Sequence, residues 1–248
     1  MTSRRSCLFF AVMLARCAPA SSPAPNDGAS SANDAASSTP MPFGEEHVGE
    51  YHLGPVEWTG SFNNACSPYP APVQQIEGAM LAGLSNEVAA NGSFCDACIT
   101  ITTDQGRSVT ARVVTYGVTQ APGNIDVSQA AFNVLHANEP VRRMRWRLTR
   151  CPGNDPIHLQ FQTGANPWWT SLWVRAPSVA VERVEVRSAN HSSWFAMRRG
   201  GDGTFNDDGG FGEGPFTLRI TGKNGATVEV ARPGFTAGEL VRTEVNLP

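Results

Sequence analysis

Cys151-Pro152-Gly153-Asn154-Asp155-Pro156 is the stretch on which the reading of the fold turns. Two prolines and a glycine make a short, stiff joint that breaks a strand ladder, and strand-like alternation runs on both sides of it. Upstream, Val56–Thr59, Ile99–Thr103, Val109–Thr115 and Arg143–Leu148 alternate apolar and polar residues as half-buried strands do. One helix is expected there, with Ser128 capping Gln129–Leu135 and Phe132 and Leu135 on one face. Downstream, Ile157–Gln162, Ser171–Arg175, Ala180–Arg187, Phe216–Thr221 and Thr227–Ala231 read the same way. Turn signals such as Asp104-Gln105-Gly106 and Lys223-Asn224-Gly225 separate the runs. The chain has 248 residues, enough for two domains of about 100 residues each. A joint this short holds two β domains close together, as one continuous surface.

The N-terminus reads as an export signal: Arg4 and Arg5, an apolar stretch from Cys7 to Leu14, then Ala18-Pro19-Ala20. The signal peptide is placed at 1–20 and an Ala/Ser/Pro-rich linker at 21–50, too polar to bury a core. Leu14-Ala15-Arg16-Cys17 has the outline of a lipobox, but Arg16 is a poor residue before a lipidated cysteine, so free secretion is favoured over anchoring at Cys17. Past the signal no run reaches the roughly 20 apolar residues of a membrane span. Removing Arg4, Arg5 and Arg16 from the 19 basic residues leaves 16 against 22 acidic ones. That mild acidity argues against nucleic-acid binding.

Four cysteines remain in the folded part: Cys66, Cys95, Cys98 and Cys151. An even number in an exported chain suggests two disulfides. A four-thiolate zinc site and a redox Cys95–Cys98 pair are the rivals. The first lacks a second Cys-x-x-Cys; in the second, Cys98 opens the strand-like Ile99-Thr100-Ile101-Thr102 instead of a helix. No metal or cofactor is expected, and the five histidines show no ligand spacing.

Asn166-Pro167-Trp168-Trp169-Thr170-Ser171-Leu172-Trp173 carries the strongest local signal. Adjacent tryptophans at a strand's start cannot both enter one core if the pleat is regular. An exposed indole suits the apolar face of a sugar ring; a half-buried one at a domain interface is the plainer account. Trp173, four residues past Trp169, falls on the same strand face and is a third stacking candidate, with core packing the equal alternative. Asp126 stands two residues before the helix cap at Ser128, where a carboxylate can simply support a helix N-terminus. Glu57-Trp58-Thr59-Gly60 ends a strand with a carboxylate, an aromatic and a hydroxyl, and Glu57 with Asp126 could form a glycosidase pair. Arg143, Arg145 and Arg147 alternate with Met144, Trp146 and Leu148, giving one basic and one apolar strand face. Asp202, Asn206, Asp207 and Asp208 lie in a Gly-rich loop whose spacing does not fit an EF-hand.

Together these stretches resemble expansins from about Tyr51 to Leu247. Val56-Glu57-Trp58-Thr59-Gly60 resembles the family's Ala-Thr-(Trp/Tyr)-x-Gly opening. Ile125-Asp126-Val127-Ser128 with Ala131-Phe132 resembles its Asp-Leu-Ser-x-x-Ala-Phe element. Arg145-Trp146-Arg147 with Cys151-Pro152 is similar to its last barrel strand and joint, and Trp168-Trp169 with Val174-Arg175 to the start of its cellulose-binding surface. The resemblance implies a six-stranded double-psi β-barrel at 51–153 and an immunoglobulin-like carbohydrate-binding sandwich at 154–248. It also implies disulfides Cys66–Cys95 and Cys98–Cys151, as in plant expansins. The implied activity is non-hydrolytic loosening of wall polysaccharide by a secreted, monomeric protein. Cellulose, xylan, another plant wall glycan or peptidoglycan would be its partner.

The departures bear on mechanism. Asp126 matches the family's acidic groove residue, but Glu57 replaces a Thr, for which Thr59, on the same strand face, is the candidate substitute. Thr115-Tyr116-Gly117-Val118 lacks the family's second groove Asp, leaving Tyr116 as the aromatic contact. Related family-45 endoglucanases carry a base Asp where Gly60 stands, so cleavage would lack its base. The alternatives are an endoglucanase or lytic transglycosylase using Asp126 as acid, and a protein that only binds carbohydrate.

Overall fold

The computed structural model describes residues 42–58, 64–89, 92–117 and 121–248. The segment read as an export signal, Cys17 and Thr59 lie outside the described residues. The chain forms a closed six-stranded barrel followed by two further sheets, the all-β architecture expected. The barrel strands are β1 (Phe43–Leu53), β2 (Leu81–Leu84), β3 (Cys98–Thr103), β4 (Ser108–Tyr116), β5 (Ile125–Val127) and β6 (Arg143–Thr149). They close in the order β1-β5-β2-β4-β3-β6, with β1–β5 and β2–β4 parallel and the other pairs antiparallel.

The alternation in β6 resolves as expected: Arg143, Arg145 and Arg147 point to solvent, while Met144, Trp146 and Leu148 are buried. Trp146 donates its Nε1 hydrogen to Gly123 O at 3.0 Å. Three short helices are α1 (Ala71–Glu77), α2 (Asn86–Ala89) and α3 (Gln129–Leu135). Ser128 caps α3 by accepting the Ala131 N–H at 3.4 Å.

One strand lies where the sequence was read otherwise. Val56–Trp58 is not a strand; the first strand runs over Phe43–Leu53 and takes in residues 43–50, assigned above to the linker. Its side chains are mostly polar, and only Tyr51 is fully buried. It forms because a strand inside a closed barrel is held by backbone ladders on both sides, here to β6 and β5. Gly49 makes the passage possible: a Cβ there would lie 2.6 Å from the Gly123 carbonyl.

The sandwich pairs a five-stranded sheet, β11-β12-β8-β7-β15, with a four-stranded one, β10-β9-β13-β14. The first contains β7 (His158–Phe161), β8 (Thr170–Arg175), β11 (Arg198–Arg199), β12 (Phe205–Asp207) and β15 (Leu240–Arg242). The second contains β9 (Val181–Arg187), β10 (Phe195–Ala196), β13 (Phe216–Gly222) and β14 (Thr227–Arg232). Leu159, Phe161, Leu172 and Val174 from one sheet meet Val184, Val186, Leu218 and Ile220 from the other. The two disulfides are Cys66–Cys95 and Cys98–Cys151, the implied pairing.

Barrel and sandwich fall within one compact unit, joined by a buried charge cluster. Arg175, at the end of β8, points away from the sandwich core and is fully buried. Its Nη1 donates to Asp96 Oδ2 at 2.7 Å, its Nη2 to the carbonyls of Cys66 and Pro68 at 2.9 and 3.0 Å, and its Nε to Gln160. The guanidinium lies between the rings of Tyr69 and Trp173, 4.2 and 4.9 Å from their centroids. Arg112 donates to Asp96 O at 2.6 Å and pairs with Glu77 at 3.2 Å. Burial pushes the Glu77 carboxyl up to about 8 against the pull of Arg112. Asp96 is raised for the same reason, against Arg175 and Arg112. A charge shut away from water survives only when paired and hydrogen-bonded. Arg175 meets that condition with acceptors on both halves.

Candidate functional site: a groove acid and a tryptophan turn

Asp126 sits in the middle of β5, between β1 and β2, with His52 and Gly83 as its register partners. The carboxyl is half-buried, and burial raises its pKa, with His52 pulling the other way. It rests on bare backbone: a Cβ on Gly54 would lie 2.5 Å from Asp126 Cβ and 2.8 Å from Oδ2. Only glycine at 54 leaves room for it. The Ser128 hydroxyl caps α3, so Asp126 is not needed as the helix cap.

Glu57 is exposed, its carbonyl accepting from the Asn64 side chain. Among the described residues, His52 pulls the Asp126 carboxyl down against its burial. Thr59 lies outside the described residues. Trp58 anchors its loop, donating to Gly78 O at 2.8 Å and meeting Tyr69 edge-on. Tyr116 donates its hydroxyl hydrogen to Gly201 O at 2.5 Å, so its polar tip is used in fastening the barrel to the sandwich.

The tryptophans are arranged by Asn166. Its Oδ1 accepts the backbone N–H groups of Trp168 and Trp169 at 2.9 and 3.1 Å, and its N–H donates to Trp169 O at 2.8 Å. This tight turn leaves Trp168 67% exposed and Trp169 half-buried. A large apolar side chain left so open, on a turn that its neighbours hold rigid, marks a contact surface.

Trp173 is different. It shares a strand face with Trp169, as expected, yet is only 5% exposed. Its Nε1 donates to Asp202 O at 2.9 Å, and Arg175 covers its ring. The stacking role offered for Trp173 is therefore corrected: the outer face of β8 is buried against the barrel at this point.

The acidic loop is also committed to structure. Asp202 accepts from the Thr204 backbone and hydroxyl, Asp207 pairs with His191 at 2.7 Å, and Asp208 with Arg198. Among the described residues no group of three metal-ligating side chains comes together.

Two residues have roles here that the motifs did not assign them. His52 stands beside Asp126, and Arg175 fixes the sandwich against the barrel. A polar β1 hid the first. Nothing local marks the second, whose acceptors Asp96 and Cys66 lie 79 and 109 residues away in sequence.

No family model matches the sequence, and no curated protein does. Among solved structures, the fold is similar to that of an expansin from Clavibacter michiganensis, with a TM-score of 0.67 and 21% identity, covering 82% of this chain and 98% of that one. A mutant of the Clavibacter expansin in complex with cellohexaose matches with a TM-score of 0.66 at the same identity and coverage. At that identity the likeness carries the architecture, barrel and sandwich together.

Proposed function

We propose that this protein is a secreted, non-hydrolytic wall-loosening protein that holds β-linked glycan on Trp168 and Trp169 and disturbs interchain contacts at the Asp126 groove. The observation that carries the reading is the open indole of Trp168, held out by the Asn166 turn on a sandwich rigidly docked to the barrel. Stacking on such a ring contributes about 1–3 kcal/mol per unit, by analogy with bases on aromatic side chains. The cellohexaose held by a structural neighbour supports a glucan as the first ligand to try. The barrel at 51–153 and the sandwich at 154–248 would act as gripping and anchoring modules.

A second reading draws on one observation: the raised pKa of Asp126 suits a general acid. Glycosidases of both stereochemical classes need a second carboxylate within about 10 Å, and Gly60 stands where related endoglucanases carry their base. Non-cleaving action is therefore the preferred function.

The test is a pull-down on cellulose, xylan and peptidoglycan, with released reducing ends and paper-weakening measured in the same tubes. Wall weakening without reducing ends, lost in Asp126→Asn with binding intact, is the expected result. Reducing-end release abolished by Asp126→Asn would replace the proposal with the enzymatic reading.

A further inference from the structure

The Asn166 turn is rigid within itself, but a rigid turn must still be seated on the sandwich before its indole points in a fixed direction. Two loops supply the seat. Residues 208–215 connect β12 to β13, and residues 188–194 connect β9 to β10.

The 208–215 loop lies directly against the tryptophan turn. Gly210 has a φ of +66°, and a Cβ there would overlap the Pro167 carbonyl and lie 2.5 Å from Trp168 C. A side chain at 210 would strain its own backbone and push the turn away. Gly212 N donates to Pro167 O at 2.8 Å and Phe211 N to Thr170 Oγ1 at 3.3 Å, while the same Thr170 hydroxyl donates to Asn166 O at 3.1 Å. Between the two glycines Phe211 is only 1% exposed, its ring 4.9 Å from that of Phe216 in the sandwich core. The turn thus rests on backbone that is anchored in the core one residue away.

The 188–194 loop holds the first loop in place. Asn190 Nδ2 donates to the carbonyls of Gly209 and Gly210 at 3.1 and 3.0 Å, and the Asn190 backbone N–H to Phe211 O at 3.3 Å. A Cβ on Gly212 would lie 2.7 Å from Asn190 Oδ1, so the asparagine fits closely against the loop. Beside it His191 Nε2 meets Asp207 Oδ2 at 2.7 Å, and the other Asp207 oxygen accepts from Gly209 N at 3.0 Å. Asp207 is buried at the end of β12, with Thr170 as its register partner. Residues 166–170, 188–191 and 207–212 therefore converge at one end of the sandwich.

We infer that Asn190 and Gly210 are positioning residues for the glycan contact, acting through Trp168; the inference rests on the proposed function in taking Trp168 as that contact. With the seat loosened, the turn keeps the hydrogen bonds of Asn166 but its indole samples several directions. Apparent affinity then falls with the fraction of molecules in the competent one.

The experiment measures cellulose affinity by depletion for wild type, Asn190→Ala, Asn190→Asp, Gly210→Ala and Asn224→Ala, each also on a Trp168→Ala background. The same proteins carry 5-fluorotryptophan, and the fluorine line of Trp168, one of six tryptophans, is assigned by its absence from Trp168→Phe. Asn224 is the control: it too makes two loop hydrogen bonds, to Pro248 O and from Ala226 N, both at 3.0 Å and in another loop. Loss of the two Asn190 donors weakens cellulose binding by about threefold to tenfold, and Asn190→Asp, which keeps the shape without the donors, tracks Asn190→Ala. Gly210→Ala loses more, and Asn224→Ala loses nothing. The Trp168 line shifts or broadens in the 190 and 210 variants and stays put in Asn224→Ala. On the Trp168→Ala background the losses vanish, a coupling that a general weakening of the fold would not produce. An unmoved Trp168 line, an unchanged affinity in Asn190→Ala, or a loss that persists in full without Trp168 overturns the inference. Should Trp168→Ala itself bind cellulose as wild type does, the proposed function falls, and the fluorine line alone decides the seat.

Discussion

Trp168 and Trp173 lie five residues apart and fare in opposite ways. Trp168 stands in water on a turn whose rigidity comes from one asparagine side chain. Trp173 is packed under Arg175 with its indole N–H satisfied. The same side chain supplies recognition in the first place and cohesion in the second. Burial decides which, and burial here is set by where the barrel docks on the outer face of β8.

The sharpest way to break the contrast is to remove the docking pin. Arg175→Ala leaves Asp96 buried without its cation and the Cys66 and Pro68 carbonyls without a donor. It should cost about 3–5 kcal/mol in chemical denaturation, and expose Trp173 to fluorescence quenchers. Trp173→Ala should follow at about 3–5 kcal/mol as a large buried ring is lost, with glycan binding in the surviving folded fraction little altered. Trp168→Ala should do the reverse: unfolding within about 0.5 kcal/mol of wild type, but cellulose affinity down by about tenfold.

The joint also has a pH signature. Glu77 titrates near 8 in the folded protein, and Asp96 is raised as well. Their folded values exceed the unfolded ones, so the stability Glu77 contributes is fully present below about pH 4 and is lost as pH rises through about 8, and that of Asp96 falls in the same direction. Denaturation midpoints should fall by an amount worth a few kcal/mol across that window. Glu77→Gln should flatten the profile; a wild-type midpoint that holds constant across it would show Glu77 to be ionised throughout. The smallest effect belongs to Asp126→Asn, which removes a partly desolvated carboxyl. Its unfolding midpoint at neutral pH should rise slightly, read by calorimetry.

What the sequence made legible follows from these forces. Strands with a clean apolar face, such as Arg143–Thr149 and Phe216–Gly222, announce themselves by alternation. β1 does not, because its order comes from backbone pairing on two sides and not from apolar side chains. β5 is three residues long, too short for any period to show, so Asp126 was placed by motif alone. The exposed Trp168 was foreseeable, since two adjacent tryptophans cannot share a core. For Trp173 the sequence left stacking and core packing level, because its burial depends on a loop around Asp202 and on the barrel. Arg175 entered only within the Val174-Arg175 resemblance; its docking role lies in residues far along the chain.

The docking pin has a consequence for recombination. A sandwich carrying Arg175 grafted onto a foreign barrel would bring an uncompensated cation to the seam unless the Cys66–Pro68 loop and Asp96 travelled with it. Exchange between such proteins is thus constrained to cut inside the barrel and not at the proline-rich joint, where a reader of the chain would first place the scissors.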